Sequence, residues 1–273
     1  MSIVAMEHTD AVRPGSSARS SVRRLVRHTL ALTHRHLLHL FRIRGLALWS
    51  TAQPIMFLLL FTFMFGGVIG RETGNYIDFV VPGIVTQFLA LTVFSTAIGV
   101  HTDVSQGIVD RFRSLPIARS AVLSGRIFSD ALRCAFNIVL LIVVGTVLGF
   151  RFSTGIVPIV GAFLLAIAFG VALAWIGAWI GLAVRSVETV NTAGTIWMVP
   201  LMFVSSLFVP TRTLPGWLQE FVKINPLSNI ADALRALTLG GPTTTPVLAS
   251  LAWTIGILAI FSTLAVRQYR RLE

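Results

Sequence analysis

The chain has 273 residues, 55% of them hydrophobic and only 12% charged, and its mean hydropathy is +0.81. Soluble domains carry about 25% charged residues, so a water-soluble core is excluded as the organising principle. A net charge of +11, from 22 Lys+Arg against 11 Asp+Glu, would suit nucleic acid, but the basic residues are sorted by membrane side, as traced below, and nucleic acid is not an expected partner.

Residues 1–21 are polar and rich in Ser, Arg and Ala, which predicts a disordered tail. A basic stretch before a run of full spanning length, with no small-residue cleavage site, reads as retained rather than as a secretory signal. Over 22–45, Val22, Val26, Leu30, Leu37, Leu40 and Phe41 share one helical arc, while Arg24, Arg35 and Arg42 share the opposite one. That division predicts an amphipathic helix along the headgroups, against the alternative of a solvated extension of the first span. His28, His34, His36 and His39 also lie here. His36 and His39 share a face at i, i+3, but His34 points away, and no cysteine or carboxylate completes a metal site.

Six apolar runs follow, at about 46–68, 80–100, 131–150, 156–184, 193–209 and 247–266. Most are long enough as helices, since the hydrocarbon core needs roughly 20 residues. The fourth exceeds one bilayer, so it tilts or projects, and the fifth is short and interrupted by Pro200. The lone Cys134, within the third run, excludes an intrachain disulfide. Arginines cluster before the first run, between the second and third (Arg111, Arg113, Arg119, Arg126, Arg133), after the fourth (Arg185) and after the sixth. The opposite side keeps only Arg71, Arg151, Arg212, Lys223 and Arg235. By the positive-inside rule, both termini (267–273 at the far end) and the 101–130 loop are cytoplasmic.

No carboxylate, histidine or lysine lies within the six runs, which argues against an ion-coupled transporter. Of the polar groups there, the neutral Gln87, Ser95, Asn137 and Ser205 are the candidates for contact with a cargo. The only lysine, Lys223, is not part of a P-loop, and there is no G-x-S-x-G or H-E-x-x-H motif. The chain is therefore not expected to be an enzyme, and any work it does must be driven by another subunit. In the 101–130 loop, Pro116 breaks the outgoing helix, and Phe112, Leu115, Ile117, Val122 and Leu123 form an apolar surface among arginines, suited to a partner's groove. The alternative is a loop whose arginines only set topology. Gly177 and Gly181 form G-x-x-x-G in the fourth run, a spacing for close helix approach either between subunits or, preferably, within one.

Two stretches carry a resemblance. Gly107-Ile108-Val109-Asp110-Arg111-Phe112-Arg113-Ser114-Leu115-Pro116-Ile117-Ala118-Arg119 resembles the cytoplasmic signature of ABC-2 type permeases. Leu214-Pro215-Gly216-Trp217-Leu218, followed by Asn225-Pro226-Leu227 and Ala233-Leu234-Arg235, is similar to the daunorubicin/doxorubicin-resistance branch of that family. The Val147–Phe152 stretch is similar too.

The resemblance implies an all-α polytopic membrane protein of six transmembrane helices in a bacterial cytoplasmic membrane. It would pair with a second permease subunit, as homodimer or heterodimer, and with two copies of a separate ATP-binding cassette subunit holding ATP and Mg2+. This chain would hold no cofactor and no metal. Gly107, Asp110, Arg111, Phe112, Arg113, Leu115, Pro116 and Arg119 would form the coupling loop to that ATPase. Within 210–246, Pro215, Gly216, Trp217, Asn225 and Pro226 would mark a re-entrant helical hairpin on the outer side. An uncharged pathway favours an amphipathic drug, antibiotic or lipid as cargo. The competing expectation is a scaffold or sensor of the same form without transport.

Overall fold

The computed structural model describes residues 44–73, 75–106, 120–184 and 186–271. The tail expected at 1–21, the amphipathic segment up to residue 43 and all eight coupling-loop candidates from Gly107 to Arg119 lie outside these residues. The described chain contains no strand. Its helices are α1 (Arg44–Thr73), α2 (Tyr76–Ser105), α3 (Ser120–Val147), α4 (Ile156–Ala183), α5 (Val187–Phe203), α6 (Gly216–Ile224), α7 (Pro226–Leu239) and α8 (Thr244–Arg271), with a 3-10 turn at Thr211–Thr213 before α6.

Each of the six apolar runs carries a helix, and among the described residues four of these helices are long and apolar enough to cross a membrane: α2, α3 from Gly125, α4, and α8 as far as Tyr269. The part of α1 whose side chains are described, Ala52–Gly67, is apolar as well. The fifth run differs most from expectation, because its helix begins at Val187 rather than Ala193 and stops at Phe203. Ser186 accepts the Thr189 amide at 3.2 Å and starts the helix early. Glu188 in the first turn is held below the usual carboxylate range by hydrogen bonds from its own backbone amide and from Ser186. Pro200 lies near the far end, and beyond Phe203 the chain leaves the helix and folds over α7.

The centre of the bundle is α2. Every residue from Val80 to Ala90 is buried, so three turns of this helix show no outward face. Such a helix must be covered all round, and α1, α3, α4, α5 and α7 all pack on it. The largest contact is with α4, where Gly177 and Gly181 meet the α2 backbone. A Cβ on Gly177 would stand 2.4 Å from the Val93 carbonyl oxygen, and one on Gly181 would stand 2.4 Å from that of Ala97. The G-x-x-x-G spacing thus serves packing within the subunit, as preferred from the sequence. At the bundle edge, α8 leaves Leu251, Trp253, Ile255 and Ile260 exposed.

The α3–α4 turn is set by Gly149, whose φ of 116° suits glycine. Phe150 donates its amide to the Gly145 carbonyl at 2.8 Å and Gly149 donates to Thr146 at 3.2 Å, a Schellman closure that turns Phe150 into the core. Gly181→Leu is expected to destabilise the fold by about 2–3 kcal/mol through overpacking. Gly161→Leu, where nothing lies within 4 Å, should change stability by less than about 0.5 kcal/mol. Thermal unfolding of the detergent-solubilised protein compares the two.

Candidate functional site

A cleft of about 100 Å³ opens where α1, α2 and α3 meet. Gln53 and Phe57 line it from α1, Gln87, Thr92 and Ser95 from α2, and Arg133 from α3. Two of the four residues expected to touch cargo, Gln87 and Ser95, are therefore brought together. Asn137 lies one turn beyond Arg133 and donates its amide to the Arg133 carbonyl at 3.0 Å, and its own Oδ1 is buried without a partner. Ser205 does not join them. Its hydroxyl donates to the Met202 carbonyl and closes the break after α5. The cleft offers guanidinium and amide donors, its Thr92 and Ser95 hydroxyls being spent on the Leu89 and Thr92 carbonyls, and no carboxylate is among its lining residues. Drug-sized pockets hold about 300–1,000 Å³, so in a single subunit this is a niche for a polar head rather than for a whole ligand.

Arg133 also belongs to an ionic cluster between α2 and α3. Its Nη2 lies 3.2 Å from Asp130 Oδ1 and donates to Ser95 Oγ at 2.7 Å, while Thr96 donates its hydroxyl to Asp130 Oδ2 at 2.8 Å. Nearer the 107–119 segment, Arg126 pairs with Asp103 across the same two helices. The Arg126 guanidinium lies over Gly99, where any Cβ would overlap it. The Asp103–Arg126 pair and the hydrogen bonds of Arg133 to Ser95 and of Thr96 to Asp130 bind α2 to α3 along the stretch leading to the expected coupling loop.

The opposite end of α2 is held by α7. Asn225, between α6 and α7, accepts the Leu227 amide at 2.9 Å, and Pro226 occupies the first helical position, where its missing N–H costs nothing. The Asn225 Nδ2 donates to the Leu201 carbonyl at 2.7 Å and to that of Val204 at 2.5 Å, satisfying the frayed end of α5. Farther along α7, Arg235 donates to the carbonyls of Phe79 (3.0 Å), Ser206 (2.8 Å) and Leu207 (3.1 Å), and pairs with Asp232 at 2.7 Å. Its guanidinium carbon sits 3.7 Å above the Phe79 ring centroid. Gly83 lets this happen, since a Cβ there would lie 2.0 Å from the Leu207 carbonyl oxygen. Pro215 and Gly216 start α6, and Trp217, Phe221 and Ile224 stay exposed on one face of it.

The sequence alone counts Arg133 among the arginines that set topology and Arg235 among the sparse outer charges, and gives Asp130 no role. A usable signal was present. The tetrapeptide Asp-Ala-Leu-Arg occurs twice, at 130–133 and 232–235. At i, i+3 on a helix its carboxylate and guanidinium meet, so each arginine can be buried with its own counterion.

The family model described as ABC-2 type transporter matches residues 27–239. The daunorubicin resistance ABC transporter permease protein DrrB1 of Streptomyces coeruleorubidus is 37% identical over 218 residues, covering 80% of this chain and 77% of that protein. The probable doxorubicin resistance ABC transporter permease protein DrrC of Mycobacterium tuberculosis is 28% identical over 94% of this chain and 93% of its own length. The probable multidrug ABC transporter permease YbhR of Escherichia coli is more distant, 21% identical over 72% of this chain and 53% of that protein.

Arg235→Met leaves three carbonyls without their donor, at about 1–3 kcal/mol each when buried, and is expected to abolish the folded fraction in detergent size-exclusion runs. For Asp103 and Arg126, a double-mutant cycle through Asp103→Ala and Arg126→Ala should return a coupling of about 1 kcal/mol in denaturant unfolding. A coupling of zero would remove this pair as a clamp.

Proposed function

The chain belongs to the ABC-2 type transporter family, and from that premise we infer that it is the transmembrane permease subunit of an exporter whose ATP is hydrolysed by a separate subunit. Two such ATPases and a second permease copy, identical or related, complete the assembly. Its place is the bacterial cytoplasmic membrane, with both termini and the 107–119 segment on the ATPase side, in keeping with the arginine distribution. In this reading α1 and α5, which both pack on α2, are the remaining two spans. The α6–α7 pair re-enters from the outer side, which protein packing around Arg235 makes tolerable. Residues 22–45 form a second contact with the ATPase along the headgroups.

One observation carries the mechanism: Arg133 is at once a wall of the cleft and a member of the α2–α3 ionic cluster. ATP binding closes the two ATPases and displaces the coupling loop, where Asp110, Arg111, Phe112, Arg113, Leu115 and Pro116 make the contact, with Gly107 and Arg119 at its ends. Because α2 and α3 are tied by Asp103–Arg126 and by Arg133, they shift together and the cleft changes shape. Energy enters only if ATP binds the two arrangements with different affinity, a difference that lies in the partner.

The cleft supports an amphipathic cargo, a drug, antibiotic or lipid, whose polar head accepts hydrogen bonds from Arg133, Gln53 and Gln87 while its apolar body lies along Phe57 and Phe88. The absence of a lining carboxylate disfavours a head that carries only donors. The names of the relatives agree with drug export as the family's work.

Co-reconstitution with a cognate ATP-binding subunit in liposomes tests this. The complex is expected to hydrolyse ATP several-fold faster than the ATPase alone, a gain lost in Asp110→Ala, Arg111→Ala and Leu115→Ala with assembly intact. Hydrolysis indifferent to the permease and to these changes would favour a scaffold or sensor instead. Arg133→Gln, which keeps the polar bulk, should reduce cargo-stimulated hydrolysis more than basal hydrolysis.

A further inference from the structure

Between α2, α3 and α4, away from the polar cleft, a groove of about 330 Å³ has an apolar lining throughout. Thr238 contributes without a free donor, since its hydroxyl is spent on the Leu234 carbonyl at 2.7 Å. The groove opens sideways past Val139 and Val160, which are half exposed on apolar helix faces. Its length is informative. The α4 wall runs from Ile159 to Ala166, and Ala166, its deepest residue, is ten residues beyond the helix start at Ile156, or ~15 Å at 1.5 Å per residue. That is half of a ~30 Å hydrocarbon core, so the groove lies within one leaflet.

Its shallow end is polar in one respect only. The Schellman turn at Gly149 sends Phe150 inward as a wall, Phe152 forms the next part of that wall, and Arg151 between them is exposed. Arg151 uses its backbone amide on Asp78 at 3.2 Å, and among the described residues its guanidinium enters no ion pair. Asp78 is itself engaged by Asn75 at 3.0 Å. An exposed cation in the turn that walls one end of an apolar channel confined to one leaflet suits a phospholipid.

We propose that this groove binds a phospholipid of the outer leaflet, one acyl chain lying along α3 and α4 and the phosphate paired with Arg151. The proposal rests on the topology inferred above, which puts the Arg151 turn outside. The lipid is a structural ligand of the permease and is distinct from cargo in the α1–α2–α3 cleft.

The test uses the complete complex in vesicles carrying a trace of phosphatidylglycerol with a diazirine midway along one chain. After illumination, adducts are mapped by mass spectrometry. Adducts should concentrate on peptides holding Val139 and Val160 over those holding the equally exposed Leu251 and Ile255 of α8. Val160→Trp, at a position with room outside, should block the mouth and remove them. Arg151→Gln should lower them about tenfold, the loss of one charge-assisted contact. Equal labelling of α8 and the groove, unmoved by either substitution, would overturn the site in favour of ordinary lipid solvation. A groove without adducts whose Val160→Cys variant cross-links a second copy would overturn it in favour of a subunit contact. Stimulated ATP hydrolysis, measured in the same vesicles, judges the exporter reading separately. Modification of Arg151→Cys by an impermeant thiol reagent, against a background in which Cys134 is buried, judges sidedness. Reaction only from the ATPase side would overturn the topology, and the leaflet with it.

Discussion

Two buried arginines hold the central helix at its opposite ends, and the arrangement of the other helices depends on them. In an apolar interior a lone guanidinium is too costly to keep, and pairing helps only when the remaining donors also find acceptors. Arg235 meets both conditions, whereas Arg133 has its counterion and reaches Ser95 but keeps a buried Nε without a partner. Each brings a carboxylate three residues earlier on its own helix and then reaches across to α2 or to chain folded over it. Arg235 does more than bury itself. The stretch after α5 leaves the helix and would otherwise present carbonyls with no donor, and Arg235 supplies two of those donors while Asn225 supplies the donors for Leu201 and Val204. One side chain thus fixes α7, the broken end of α5 and the start of α2 relative to one another.

The same logic separates rigid from movable parts. Gly177 and Gly181 bring α4 onto the α2 backbone at distances that leave no room for sliding. The α2–α3 contact is of a different kind, made of ion pairs and hydroxyls near the loop, with small apolar residues farther on. Helices joined in this way respond as a unit to a push at their shared loop, and the cleft beside Arg133 is what such a shift would reshape. The exposed aromatic face of α6 and the apolar face of α8 stand outside this unit.

Much of the fold was legible before any coordinates. The six apolar runs locate the helices α1 to α5 and α8, and the Pro215–Gly216 and Asn225–Pro226 pairs mark the starts of α6 and α7, because proline is favoured at the start of a helix, where its missing N–H has no intrahelical partner to lose. Among the described residues, four of the six meet the length and apolarity of a span. The fifth was misplaced, because Ser186 caps its helix earlier than hydropathy alone suggests, and because apolar residues after Phe203 are buried as irregular chain rather than as helix. Of the expected cargo contacts, Gln87 and Ser95 share a cleft and Ser205 does not. Polarity within an apolar run marks a residue that needs a partner, and it does not say which partner it has.

By itself the sequence determined that this chain is helical and lives in lipid, which side its arginines favour, and which family it belongs to, since each of these depends on composition and local order. Tertiary structure alone decided that G-x-x-x-G faces α2 within the subunit, that Arg235 reaches a carbonyl 156 residues away at Phe79, and that Arg133 is shared between a clamp and a cleft. The physical reason is that a buried charge is stabilised by whatever oxygens the fold brings to it. Those oxygens are backbone carbonyls of distant segments, which every residue carries and no pattern of side chains distinguishes.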